Sequence, residues 1–254
     1  MNVIVCVKQI PDPALPGELD ADNTLKRDGK LILDESDSYG VEMALQLVGA
    51  AGDGAVTLVS MAPNDEVSGL RTALAMGAEK AVLVSDPALA GADALTTAKV
   101  LAGAVGKAGD YDLVIAGTES SDGYTGTVPE QLAEVLGLPS VTFAKTIAVD
   151  SGTVKVDRQT EAGYDEVTCP LPAVVSVTAG VVEPRYPSFK GIMAAKSKPV
   201  ETVTAADLGI ESASSAQSIT NVEDAPEREA GEIIEDDGET FNKIVEFLDN
   251  LKVI

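Results

Sequence analysis

Thr118, Glu119, Ser120, Ser121, Asp122, Gly123, Tyr124, Thr125, Gly126, Thr127, Val128, Pro129 and Glu130 follow an apolar run that ends at Gly117. Gly123, Thr125, Gly126 and Thr127 let backbone N–H groups and hydroxyls come close to a phosphate, and Pro129 stands where the first turn of a helix accepts proline. The spacing is neither a Walker A sequence nor a GxGxxG fingerprint, and no lysine lies in the loop to hold a γ-phosphate. It suits a monophosphate or pyrophosphate held by neutral donors; the alternative is an ordinary Gly/Ser-rich loop between strand and helix. A second segment, residues 183–196, sets Phe189, Ile192 and Met193 among Arg185, Lys190 and Lys196. Exposed apolar side chains ringed by cations mark a surface that something else covers, unless the segment is a core helix with basic flanks.

The rest of the chain limits which chemistries are open. Lys and Arg total 18 against 41 Asp and Glu, a formal charge of −23, so nucleic acid and anionic membrane surfaces are repelled. Histidine is absent, which excludes a Ser-His-Asp triad, a His-ligated metal and a histidine base within this chain. Cys6 and Cys169 lie on separate apolar segments and are expected to be reduced, buried thiols in a cytoplasmic protein. Residues 1–8 lack the charged start and cleavage site of a signal peptide and are expected to form a first strand. No apolar run approaches the roughly 20 residues that span a bilayer.

These segments need a scaffold. Residues 3–7, 55–61, 80–85 and 112–117 are continuous apolar runs, as expected of parallel strands buried on both faces. Between them, Val41, Ala44, Leu45 and Val48 share a helix face, as do Val67, Leu70 and Leu74, then Leu95, Ala98, Leu101 and Val105. Glycines close each helix, at Gly49 and Gly52, at Gly77, and at Gly106 and Gly109. The expected fold class is α/β, a Rossmann-like, doubly wound, mostly parallel sheet. From residue 140 the pattern changes: residues 141–149, 153–158, 164–169 and 173–178 succeed one another across short turns, which predicts a meander of antiparallel extension strands. The expected division is an α/β domain over 1–200 and a C-terminal arm over 201–254. In the arm, the Ser/Ala-rich stretch 211–218 and the acidic run 223–239 lead to a helix over 240–251 with Phe241, Ile244, Val245, Leu248 and Leu251 on one stripe. Such an arm packs on something distant, this domain or a partner subunit.

In a doubly wound sheet, ligands gather at the carboxyl ends of the strands. Besides 117–130, the loops there are residues 8–13 and 61–65. Asp34, Glu35, Ser36 and Asp37 precede a helix and read as an acidic N-cap group favoured by the helix dipole. Tyr111 and Tyr124 are either packing residues or neighbours of an aromatic ring.

Several of these pieces together resemble the β subunit of the electron transfer flavoprotein family. They are Val7-Lys8-Gln9-Ile10-Pro11-Asp12, the helix segment from Leu70 to Ala78, Val156-Asp157-Arg158, the run from Leu171 to Val175, Pro184-Arg185-Tyr186, and Gly191 through Lys196. One such block alone is weak, but several in order at the family's spacing are specific, and the similarity covers about residues 1–209. The resemblance implies a heterodimer with a larger α subunit whose mobile domain holds most of the FAD, so that this chain scaffolds and docks. It also implies an AMP buried in the β subunit. Carried over by position, the cofactor contacts are Cys6, Asp34, Asp37, Met61, Gly117, Asp122, Gly123, Thr125, Gly126, Thr127 and Val128.

The family's recognition loop falls at about 184–198. Its anchoring leucine is replaced by Phe189, with Arg185, Lys190, Ile192, Met193 and Lys196 beside it. The implied partners are acyl-CoA or other flavin dehydrogenases of the kind that serve fatty acid β-oxidation, and a quinone reductase downstream. Relatives of the mitochondrial type are Asn/Gln-rich around Gly126 and Thr127, whereas this loop is rich in Gly and Thr. Some relatives that begin the loop with Asp-Gly, as Asp122-Gly123 does, place a second FAD there instead of AMP and bifurcate electrons from NADH. An aromatic residue that nears the flavin in some members falls at Pro13 here. A third alternative is a stand-alone adenine-nucleotide module of the universal-stress type, which leaves the cationic segment and the acidic arm without a role.

Overall fold

Four apolar runs too continuous to show one face to water become the centre of a parallel sheet. In chain order, the computed structural model has β1 (Val3–Cys6), β2 (Gln9–Pro11), β3 (Leu31–Leu33), α1 (Glu35–Ala51), β4 (Val56–Ala62), α2 (Ser68–Met76), β5 (Lys80–Ser85), α3 (Ala94–Ala108) and β6 (Leu113–Gly117). Then come α4 (Val128–Leu136), β7 (Ser140–Asp150), β8 (Thr153–Thr160), β9 (Gly163–Pro170), β10 (Ala173–Val177), α5 (Phe189–Ala195), β11 (Val200–Val203) and α6 (Thr240–Asn250). Residues 1–210, 215–226, 231 and 233–254 are described; 211–214, 227–230 and 232, which belong to the predicted Ser/Ala-rich and acidic stretches, lie outside them.

Nine strands form one sheet in the order β11-β5-β4-β1-β6-β10-β7-β8-β9, and β2 pairs with β3 in a separate antiparallel ribbon. The mostly parallel, Rossmann-like α/β architecture is as expected. One core layer, with Val41, Leu70, Leu74 and Ala195, lies under α1, α2 and α5; the other, with Ala98, Val105 and Leu132, lies under α3 and α4. The helices stop at Gly52, Gly77 and Gly109, whereas Gly49 and Gly106 lie within α1 and α3; Gly52 takes a left-handed φ of 80° and its N–H bonds to the Val48 carbonyl.

The meander is antiparallel only in part. β7, β8 and β9 pair antiparallel, but β10 lies parallel between β6 and β7. Its five residues are buried throughout, whereas β9 alternates between half-buried and exposed positions. A strand covered on both faces is stable in the middle of the sheet, and that overrides the short turn before it. β11 adds a further parallel strand beside β5, at the opposite edge.

The described chain forms two compact units, Met1–Thr220 and Asn221–Ile254, and β11 places residues just past 200 in the sheet of the first. Within the second unit, α6 leaves Phe241, Ile244, Val245, Phe247 and Leu251 each more than half exposed. Among the described residues, no helix is long and apolar enough to cross a membrane.

Candidate functional site

β1 has β4 on one side and β6 on the other, so the chain reverses its direction of travel across the sheet at this strand. Ligands collect in the crevice at such a point. A cavity of about 530 Å³ lies there. Its wall holds Cys6, Asp37, Met61, Gly117, Gly123, Thr125, Gly126 and Val128, and thus brings together most of the predicted cofactor contacts. Gly126 needs its missing side chain, with φ at +63° and a Cβ that would stand 3.2 Å from the Glu119 carboxylate.

Asp34, Asp122 and Thr127 do not form the wall. Asp34 is fully buried and accepts from the Ser36 N–H at 3.1 Å and from the Ser121 N–H at 2.8 Å, which joins the start of α1 to the loop after β6. Thr127 is the residue before α4, and its hydroxyl accepts from Gln131 Nε2 at 3.1 Å. Asp122 accepts from Lys8 Nζ at 2.6 Å and from Arg27. Lys8 and Arg27 both line the cavity, and neither was among the predicted contacts. The loop itself has no lysine, but the fold delivers two cations to it from remote segments. Their scarcity on so acidic a chain was the available signal.

The site's floor is buried and polar. Asp37 accepts from the Lys8 backbone N–H at 2.6 Å. Burial, with the Asp34 carboxylate adding to it, pushes Asp37 up to about 8, against the backbone N–H groups of Lys8 and Gly117. Burial, then Asp37, pushes the Cys6 thiol up to about 12, so it lines the site as an inert neutral group. Cys6 and Cys169 are both free thiols; Cys6 is buried as expected, but Cys169 is only half-buried. Tyr111 packs against the core layer under α3 and α4, and burial raises its pKa. Tyr124 is 67% exposed and faces a second, open cleft of about 790 Å³ beside Phe143 and Arg158. Among the described residues, no group of three His, Cys, Asp or Glu side chains could hold a metal ion.

The cationic segment is neither a free loop nor a core helix. Phe189–Ala195 is a short helix, α5, capped by Ser188, whose hydroxyl accepts from the Gly191 N–H at 3.0 Å. It is held from several sides. Arg185 grips the buried Glu42 through Nε at 2.6 Å and a second nitrogen at 2.9 Å. Arg71 donates to the carbonyls of Ala195 and Lys198, both at 2.7 Å, and Lys198 Nζ donates back to those of Leu74 and Ala78. Gly191 lies so near α2 that a Cβ would stand 2.5 Å from the Ala75 carbonyl oxygen. On this clamped base Phe189 is 81% exposed, with Ile192, Met193, Lys190 and Lys196 also facing out. Arg185 therefore anchors the segment, its charge engaged by Glu42.

Sheet order, two helix layers and a cavity at the point of reversal define a Rossmann-like α/β protein with room for a ligand at the carboxyl edge. Residues 22–208 match the electron transfer flavoprotein domain. The whole chain aligns at 40% identity over 264 residues with the electron transfer flavoprotein subunit beta of Mycobacterium bovis, covering 99% of that protein. The subunit of the same name from Mycobacterium leprae is also 40% identical, and that of Megasphaera elsdenii is 34% identical over 270 residues, covering both chains in full. The chain belongs to the electron transfer flavoprotein family, among its β subunits, and its role is electron transfer.

Proposed function

We propose that this chain is the β half of a cytoplasmic heterodimer, passing electrons from flavin dehydrogenases such as acyl-CoA dehydrogenases to a quinone reductase. The FAD is held chiefly by the α subunit, and AMP fills the cavity at the carboxyl edge as a structural ligand. The observation that carries this is the meeting of Cys6, Asp37, Met61 and the 117–128 loop around one cavity of about 530 Å³ at the point of reversal. The clamped α5 with its exposed Phe189 supports docking, since an apolar anchor among Lys190 and Lys196 supplies affinity while the charges speed encounter. The exposed stripe of α6 is suited to the α subunit.

The second reading replaces AMP with a second FAD and adds electron bifurcation; the Asp122-Gly123 start of the loop favours it. Purification of the heterodimer followed by flavin and nucleotide analysis separates the two. About one FAD with one AMP per dimer supports the first reading, and about two FAD the second. A flavin-free dimer without nucleotide sinks both.

A further inference from the structure

We propose that Lys8 and Arg27, held in place by the buried Asp122, are the cationic contacts for a phosphate in this cavity. The proposal rests on the nucleotide reading of the cavity and goes beyond the neutral donors of the loop. Among the described residues, Lys8 and Arg27 alone bring positive charge to the wall. They come from distant places, Lys8 just after β1 and Arg27 from the excursion between β2 and β3. They converge on one carboxylate that stands behind them: Asp122 is 8% exposed and takes no part in the wall, while Lys8 is 39% and Arg27 20% exposed.

One carboxylate balances one cation. The pair thus leaves about one positive charge toward the cavity, in a chain whose overall field is negative. Donors also remain. Lys8 Nζ spends two of its three on Asp122 and on Ser120 Oγ, at 3.2 Å. Arg27 spends two of its five on Asp122 and on the Gln9 carbonyl. A Cβ at Gly123 would stand 3.8 Å from Lys8 Nζ, so bare backbone faces the ammonium and leaves space between them. Asp20, Asp28, Asp37 and Glu119 also reach the wall. Asp37 holds its proton at neutral pH, and the other three are exposed to water, which screens them. Asp122 stays ionised: burial alone would raise its pKa, but Lys8 and Arg27 outweigh burial and lower it.

The test is calorimetric titration of the heterodimer, stripped of nucleotide, with AMP against adenosine and with FMN against riboflavin. Each pair differs by the phosphate. Wild-type protein is expected to prefer the phosphate-bearing member of the pair that fits the cavity, and the preferred pair identifies the source. Lys8→Met is expected to cut that preference by roughly tenfold or more, as loss of a charge-assisted hydrogen bond does. Adenosine or riboflavin binding should be unchanged, and Lys8→Arg should restore the preference. Equal losses for both members of a pair would make the cations purely structural and overturn the proposal, as would an unchanged preference. If none of the four compounds binds wild-type protein, the nucleotide reading itself falls, and this inference with it.

Discussion

Replacing Phe189 by Ala separates folding from docking. The side chain is 81% exposed, so its loss should change folding stability by less than about 0.5 kcal/mol. In a docked complex the same ring would be buried, and full burial of a Phe side chain is worth about 1.5–3 kcal/mol. At about 1.4 kcal/mol per factor of ten, the apparent KM for a partner dehydrogenase should rise by roughly ten- to a hundredfold. The assay pairs urea unfolding of the variant with the rate of flavin reduction in the heterodimer as dehydrogenase concentration is varied. Flavin content should be unaffected, because Phe189 does not line the cavity. An unaltered KM would refute the docking role. A large fall in the urea midpoint would refute the premise that the ring contributes nothing to the fold.

Three further outcomes follow from the same geometry. Arg185→Ala leaves Glu42 buried without its partner; because Arg185 is 48% exposed, the cost should be about 1–3 kcal/mol rather than the full value for a buried pair, read from the urea midpoint. Gly191→Ala drives a Cβ against the Ala75 carbonyl and should destabilise by about 1–3 kcal/mol, read as a lower melting temperature with the cavity's ligand retained. Asp37 carries its proton up to about pH 8 in the folded chain against about 3.9 unfolded, so the folded state binds more protons between those values. Its contribution is fully present below about pH 4 and is lost as pH rises through about 8; the urea midpoint should fall from pH 6 to pH 9, and Asp37→Asn should flatten that decline.

The centre of the sheet was legible because burial on both faces leaves its mark residue by residue: β1, β4, β5 and β6 are almost wholly buried, as their continuous apolar runs require. β10 carried the same mark, five buried apolar-rich positions, yet its place after three antiparallel candidates suggested a continued meander. Position in the chain was the weaker signal, and burial decided. β2 and β3 have three residues each, too few to show a period. α5 has seven and spans barely two turns, although Ser188 three residues ahead of Gly191 was a cap signal in plain view. The cavity's wall was largely readable from the loops after β1, β4 and β6. Its cations were not, because Lys8 and Arg27 reach Asp122 across 114 and 95 residues, and only the folded topology brings them together.

The most direct measurement is flavin reduction by a dehydrogenase, followed optically, in this chain alone, in the α subunit alone and in the two combined. The isolated chain should be colourless and accept no electrons, and the heterodimer should show rapid flavin reduction that depends on this chain. A flavin bound and reduced by the isolated chain, or a dehydrogenase that reduces the α subunit equally fast without it, would rule out a scaffolding and docking role for this chain.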